Sequence, residues 1–287
     1  MSTATRGRHA ARAESPTATT ASGALGAVAV RPVTPIRVLL SEWVKFRSLR
    51  STWLTLTAAV IAMIGIGSLI SFATNNRWDR MPAQQIAHFE PIGRSLAGVN
   101  LAQLAIAVLG VLLISGEYAT GMIRSTLAAT PTRLPVLWAK TTLYAVATFV
   151  VMLAASFVAF LSGQHFLTTH GTTLSAPGAW RAIVAVAGYL TLVGILAVAL
   201  GFIIRSTAGG IATLVGLLLV APGLGELLPT DWQDKILPYL PSNAGESMYA
   251  VTQPTGMLSP TGGLITLLVW AAVALTTAAF LLKRRDA

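Results

Sequence analysis

The sequence predicts an all-α integral membrane protein: six transmembrane helices preceded by an amphipathic helix lying in the membrane interface. Three observations carry this reading. Of the 287 residues, 54% are hydrophobic and 10% charged, against about 25% charged in an ordinary soluble domain. The apolar residues fall into six runs, each close to the ~20 residues that cross a bilayer as a helix. The basic residues sit between these runs and at the two ends of the chain. That placement fixes orientation in a bilayer. A net charge of +10 would suit nucleic acid, but no basic face with interleaved aromatics occurs, so nucleic acid is not an expected partner. The chain has no Cys, which excludes disulfides and thiolate metal sites.

Taken in order, residues 1–34 are rich in Ala, Thr, Ser and Pro, with Arg6, Arg8 and Arg12, and read as a disordered cytoplasmic tail. The run Ala24–Val30 is brief and is followed by Arg31 and Pro32, so cleavage as a signal peptide is not expected. Residues 35–52 form the predicted interfacial helix. Ile36, Leu39, Leu40, Trp43, Phe46 and Leu49 recur at three to four residues and share a face. Arg37, Ser41, Lys45 and Ser48 line the opposite face, with Glu42 and Arg47 nearby. Such a helix lies in the membrane plane, its basic residues on anionic headgroups. Two roles are open to it: a topogenic anchor, or an anchor that also touches a cytoplasmic partner.

Residues 53–287 carry the six spans, expected at Trp53–Phe72, Leu96–Ser115, Thr141–Ser162, Ala182–Ile204, Ala208–Leu228 and Gly262–Leu282. Pro222, Gly223 and Gly225 interrupt the fifth, which either kinks there or turns back. Fifteen Lys and Arg lie on one side of this arrangement and five on the other. Both termini are therefore expected in the cytoplasm, in a multi-pass protein of the cell membrane.

Familiar chemistry is missing. None of the four Lys follows a Gly, so there is no phosphate-cradling GxxxxGK[ST] loop. Leu161-Ser162-Gly163-Gln164 matches part of an ABC ATPase signature, but it lies at the end of a span and reads as coincidence. There is no HExxH. His165 and His170 are expected in an outer connection, as solvated residues rather than metal ligands. The spans hold no carboxylate near mid-depth: Glu117 falls at the inner edge of the second, and Glu226 near the outer end of the fifth. This disfavours proton-coupled transport. Asn100 and Gln103 share a face of the second span. They suit interhelical hydrogen bonding or the lining of a translocation path. Ala197 with Gly201, and Ala212 with Gly216, form small-xxx-small pairs that suit close helix packing.

The second-to-third connection, Gly116-Glu117-Tyr118-Ala119-Thr120-Gly121-Met122-Ile123-Arg124 through Pro131 and Arg133 to Lys140, is longer than a simple bridge between helices requires. Its Glu, then Gly with a following Leu127, then Pro-x-Arg, then Lys resembles the permease subunits of type-2 ABC exporters, especially their actinobacterial branch. The segment Ser41 to Trp53, with its Glu42 and Lys45, and the stretch Leu240-Pro241-Ser242-Asn243-Ala244-Gly245 are similar to the same branch. The resemblance covers about residues 36–287.

It implies a permease that pairs with a second copy or a paralogue and exports a substrate. A separate cytoplasmic ABC ATPase would drive it. ATP would bind that partner, leaving no cofactor in this chain. The resemblance assigns ATPase coupling to Glu117, Tyr118, Gly121, Arg124, Pro131 and Arg133. Glu117→Ala is then expected to uncouple the machine and spare the fold. Residues 229–260 are expected to form short helices dipping back into the outer leaflet, or a plain interfacial loop. A non-transporting membrane interaction protein and an intramembrane enzyme are the alternatives. Apolar drugs, peptide antibiotics and lipids all fit as cargo.

Overall fold

A computed structural model describes residues 34–128 and 133–284; the predicted tail lies outside them. No strand occurs among the described residues. Six helices are long and apolar enough to cross a membrane: Arg50–Asn76, Pro91–Ala119, Leu134–His170, Ala179–Ile204, Thr207–Gly225 and Pro260–Arg284. The chain is thus an all-α, multi-pass membrane protein.

A surface helix, Pro35–Ser48, precedes them and stops at Leu49, whose backbone is extended. The helix of the first span begins directly afterwards, at Arg50. The side chains of Ser48 and Trp53 donate to the carbonyls of Lys45 and Arg47. Trp53 satisfies an acceptor that the end of the surface helix leaves open, whereas the Ser48 hydroxyl shares the Lys45 carbonyl with the Leu49 N–H. The third span has 34 helical residues, Leu134–Leu167, about 51 Å at 1.5 Å per residue. It therefore projects beyond a hydrocarbon core of about 30 Å, and Lys140 lies in the first turns of this excess length.

The fourth span is the centre of the bundle. It packs on the second, third and sixth spans, while the first packs on the second and third. In hydrocarbon, apolar contact alone gives no drive to associate, so small residues that bring backbones close decide which faces meet. A Cβ at Gly110 would lie 2.7 Å from the Ala197 side chain, one at Gly194 would lie 2.4 Å from the Tyr144 ring, and one at Gly201 would lie 2.9 Å from Ile114. The pair Ala197 and Gly201 therefore faces the second span. The pair Ala212 and Gly216 does not pack within the chain: Ala212 is exposed and open space surrounds Gly216.

The fifth span neither stops nor reverses at Pro222. It runs as an α-helix from Thr207 to Val215, a π-helical turn over Gly216–Val220, and an α-helix over Ala221–Gly225. Proline has no N–H to donate, and its ring crowds the carbonyl one turn back. The wider π turn immediately before it relieves that conflict.

The connection between the fifth and sixth spans contains helix Thr230–Ile236, a 3₁₀ turn Leu237–Tyr239, and helix Pro241–Tyr249. The last of these, the re-entrant helix, is seated in the bundle. A Cβ at Gly245 would lie 2.1 Å from the Tyr189 ring, and one at Gly263 would lie 2.3 Å from the Ala244 carbonyl oxygen. Tyr189 is ten residues into the fourth span, so the helix reaches roughly 15 Å down it. A plain interfacial loop does not describe this segment.

The Leu161–Gln164 string binds helix to helix. Ser162 and Ser68 hydroxyls lie 2.8 Å apart, and Gly163 packs directly on Ser95. Gln164 donates to the Pro91 carbonyl and to the Ser95 hydroxyl and accepts from the Thr172 N–H. His165 lies on the last turn of the third span rather than in a connection. His170 is not a solvated loop residue: it stacks on Trp78 with ring centres 3.7 Å apart and meets Asn75 Oδ1.

Candidate functional site

Four charged side chains meet at the end of the bundle that carries the surface helix. The second span ends at Ala119, and Gly121, with φ +71°, turns the chain into a short connector helix, Met122–Ala128. Nothing lies near the space a Cβ at Gly121 would occupy. Its need for glycine is therefore conformational rather than steric.

Just above this turn, Glu117 Oε1 pairs with Lys140 Nζ at 2.7 Å. Lys140 also holds Glu42 Oε2 at 2.5 Å. Lys45 closes the group, 3.0 Å from Glu42 Oε1 and 3.5 Å from Glu117 Oε1. Lys45 Nζ also donates to Thr126 Oγ1 of the connector helix at 3.1 Å. One network thus joins the surface helix, the second span, the connector helix and the third span.

The group is balanced in charge, with Glu117 Oε2 buried and without a hydrogen-bond partner. Two carboxylates face two ammoniums, so the formal charge of the group is zero. Lys140 is 2% exposed and Glu42 3%. Each ion would cost several kcal/mol to bury alone, and good geometry with several partners offsets that cost. Such a group adds little net stability over an apolar one, but losing one member strands a buried charge. The quartet therefore fixes how its four elements sit.

The surface helix bears three stripes rather than two. Val38, Glu42 and Phe46 face the bundle and are buried, whereas Ile36, Leu40, Trp43 and Val44 are exposed. Phe46 was expected on the lipid face and Glu42 beside the polar face; both instead face the third span. Arg37 and Arg47 are exposed. In the segment expected to couple to an ATPase, Tyr118 lies under the Arg205 guanidinium, 5.0 Å from ring centre to carbon. Arg133, in a left-handed conformation with φ +22°, donates to the Leu282 carbonyl at 3.2 Å. It thus ties the start of the third span to the end of the sixth. Pro131 and the side chain of Arg124 lie outside what the structure describes.

Asn100 and Gln103 part company. Gln103 is buried, accepts from the Tyr189 hydroxyl and donates to the Asn100 carbonyl. It is an interhelical contact of the kind worth about 0.6–2 kcal/mol. Asn100 is exposed and lines a 330 Å³ cavity at the far end of the bundle, between the start of the second span and the re-entrant helix. Arg181 closes the end of that helix, donating to the Met248 and Ala250 carbonyls at 2.7 Å each. Glu246 lines the cavity too, and burial pushes its carboxyl above the ordinary carboxylate value.

Sequence reasoning missed the partnership of Glu42 with Lys140 and the clamp of Arg181. A signal for the first was present: a Lys inside Val-Leu-Trp-Ala-Lys-Thr-Thr-Leu needs an acid, and the chain has ten acids in all. No family model matches the chain, and no curated protein matches it either.

Proposed function

We propose that the chain is the membrane permease subunit of an ABC exporter, forming the translocation path and driven by a separate cytoplasmic ATPase. The observation that carries this reading is the Lys45–Thr126 contact within the quartet. A short helix displayed at the basic end of the bundle is wired by charge to the surface helix and to two spans. A displacement of the connector helix would be felt by all of them at once. Only a partner whose nucleotide states prefer different positions of that helix can shift the permease between conformations. The motif order from Glu117 to Lys140 supports the same assignment.

In this reading the basic end is cytoplasmic, as the distribution of Lys and Arg favours. A second permease copy or a paralogue covers the fifth span, whose Ala208, Ala212 and Leu219 are exposed. A membrane interaction protein that does not pump is the second reading; the tight seating of the re-entrant helix suits either.

Two experiments test the proposal. Single Cys at Ser2, Arg124 or Ala287 should resist an impermeant thiol reagent in intact cells, while Thr172→Cys and Thr255→Cys react. Labelling at position 124 or 287 would reverse the orientation. A photoreactive residue at Ser125, which is exposed, should crosslink to an ATPase subunit in native membranes. Crosslinks to lipid alone would favour the interaction-protein reading.

A further inference from the structure

The far-end cavity is lined by one guanidinium, Arg94, and two carboxylates, Glu90 and Glu246, neither of which pairs with it. Arg94, on the first turn of the second span, and Glu246, on the re-entrant helix, both line its 330 Å³. Neither side chain has a hydrogen-bond or ion-pair partner among the described residues. The carboxylate nearest to Arg94 in sequence is already used: Glu90 accepts from the N–H groups of Ile92 and Gly93. Arg94 also borders an adjoining 280 Å³ cavity together with Arg77, the residue that ends the first span. Asn100 and Tyr249 supply neutral polar groups to the first cavity. Partial burial raises the Glu246 carboxyl above its ordinary value.

Each feature states a requirement on a ligand. A guanidinium at the end of a span, with a second beside it, suits a phosphate or carboxylate, which it can grip through two parallel N–H groups. The Glu246 carboxylate on the same cavity, without a cation of its own, suits an ammonium. The volume is at the small end of the range of ligand sites, about 300–1,000 Å³. The Arg181 clamp holds the wall that bears Glu246, so the site is formed before a ligand arrives.

We propose that this cavity binds a molecule carrying both an anionic group and an ammonium group, the anion on Arg94 and the ammonium on Glu246. A phosphoethanolamine lipid headgroup and a small soluble zwitterion share this chemistry. The site lies beside the first turn of the second span, at an end of the bundle, where either can reach it.

The test uses the full-length chain, delipidated in detergent, and titration calorimetry with three probes. These are dihexanoyl phosphatidylethanolamine, free phosphoethanolamine and dihexanoyl phosphatidylglycerol, the last an anion with no ammonium. The ethanolamine lipid should bind at least roughly tenfold tighter than the glycerol lipid, a difference of about 1.4 kcal/mol. Glu246→Gln should abolish that preference, Arg94→Gln should weaken all binding, and Glu246→Asp should retain the preference. Binding of the lipid without free phosphoethanolamine identifies a headgroup as the ligand; equal binding of both identifies a soluble zwitterion. Equal affinity for the two lipids, or no binding of any probe, would overturn the proposal. The wild-type comparison decides even if a variant fails to fold. No ATPase is present, so the outcome is independent of the exporter assignment.

Discussion

Lys140→Met removes the centre of the quartet and keeps most of the volume of the side chain. Glu42 and Glu117 then share Lys45 alone, which reaches them at 3.0 Å and 3.5 Å. Glu42, 3% exposed, has no water to take the place of Lys140. Breaking a buried ion pair on one side costs about 3–5 kcal/mol. For a chain of this size a loss of 1 kcal/mol lowers a melting midpoint by about 2–4 °C, so a fall of roughly 6–20 °C follows. The assay is thermal unfolding of the purified chain in detergent, followed by near-ultraviolet circular dichroism. The variant Glu42→Gln, Glu117→Gln, Lys140→Met removes the stranded charges along with their partner, and should recover most of the loss. A Lys140→Met midpoint within about 2 °C of wild type, about 1 kcal/mol or less on that scale, would refute the reasoning. So would a triple variant less stable than the single one.

Gly245→Ala places a methyl group 2.1 Å from the Tyr189 ring. It should cost about 1–3 kcal/mol, as overpacking does, seen as a lower melting midpoint. Arg37→Glu with Arg47→Glu leaves the quartet untouched. It should weaken attachment to anionic lipid by about 1 kcal/mol per basic residue removed, measured as poorer insertion into phosphatidylglycerol vesicles with insertion into neutral ones unchanged. Glu246 gives a pH signature. Its folded carboxyl lies above the ordinary value, so the folded chain holds that proton more tightly than the unfolded one. Its contribution to stability therefore falls as pH rises from the ordinary carboxylate value through the raised one. Glu246→Gln should flatten that part of a midpoint-against-pH curve.

The six spans were legible because hydrophobic runs of bilayer length have few other uses. Five of the six expected segments lie wholly inside the observed helices. The fifth ends at Gly225 rather than Leu228, since Leu227 and Leu228 continue the apolar run after the helix has ended. The quartet was half legible. Glu117 and Lys140 stood out as charges at span edges, but helical periodicity gives a face, not a partner, and Glu42 is 98 residues from Lys140. Glu42 also sits among basic residues, where a polar flank explains it equally well.

That omission carries a correction. Glu117→Ala was expected to uncouple the permease and spare its fold. Because Glu117 holds Lys140 at 2.7 Å, the change strips a buried ammonium of one of its two close carboxylates and is expected to destabilise the chain. The re-entrant helix was hidden for another reason. Pro241-Ser242-Asn243-Ala244-Gly245 has the composition of a loop, and its depth depends on Gly245 and Gly263 meeting Tyr189 and Ala244 across large sequence distances.

In the proposed exporter, a separate ATPase would drive this chain through the connector helix. The most direct measurement is ATP turnover in proteoliposomes holding a fixed amount of any ATPase that co-purifies with the chain, with and without the chain itself. Wild type and Arg124→Glu are compared at matched melting midpoints. The account predicts that the wild-type chain stimulates turnover and that Arg124→Glu, whose change lies on the connector helix and outside the quartet, abolishes the stimulation. Turnover that is the same with the wild-type chain, with the variant and with neither would contradict it.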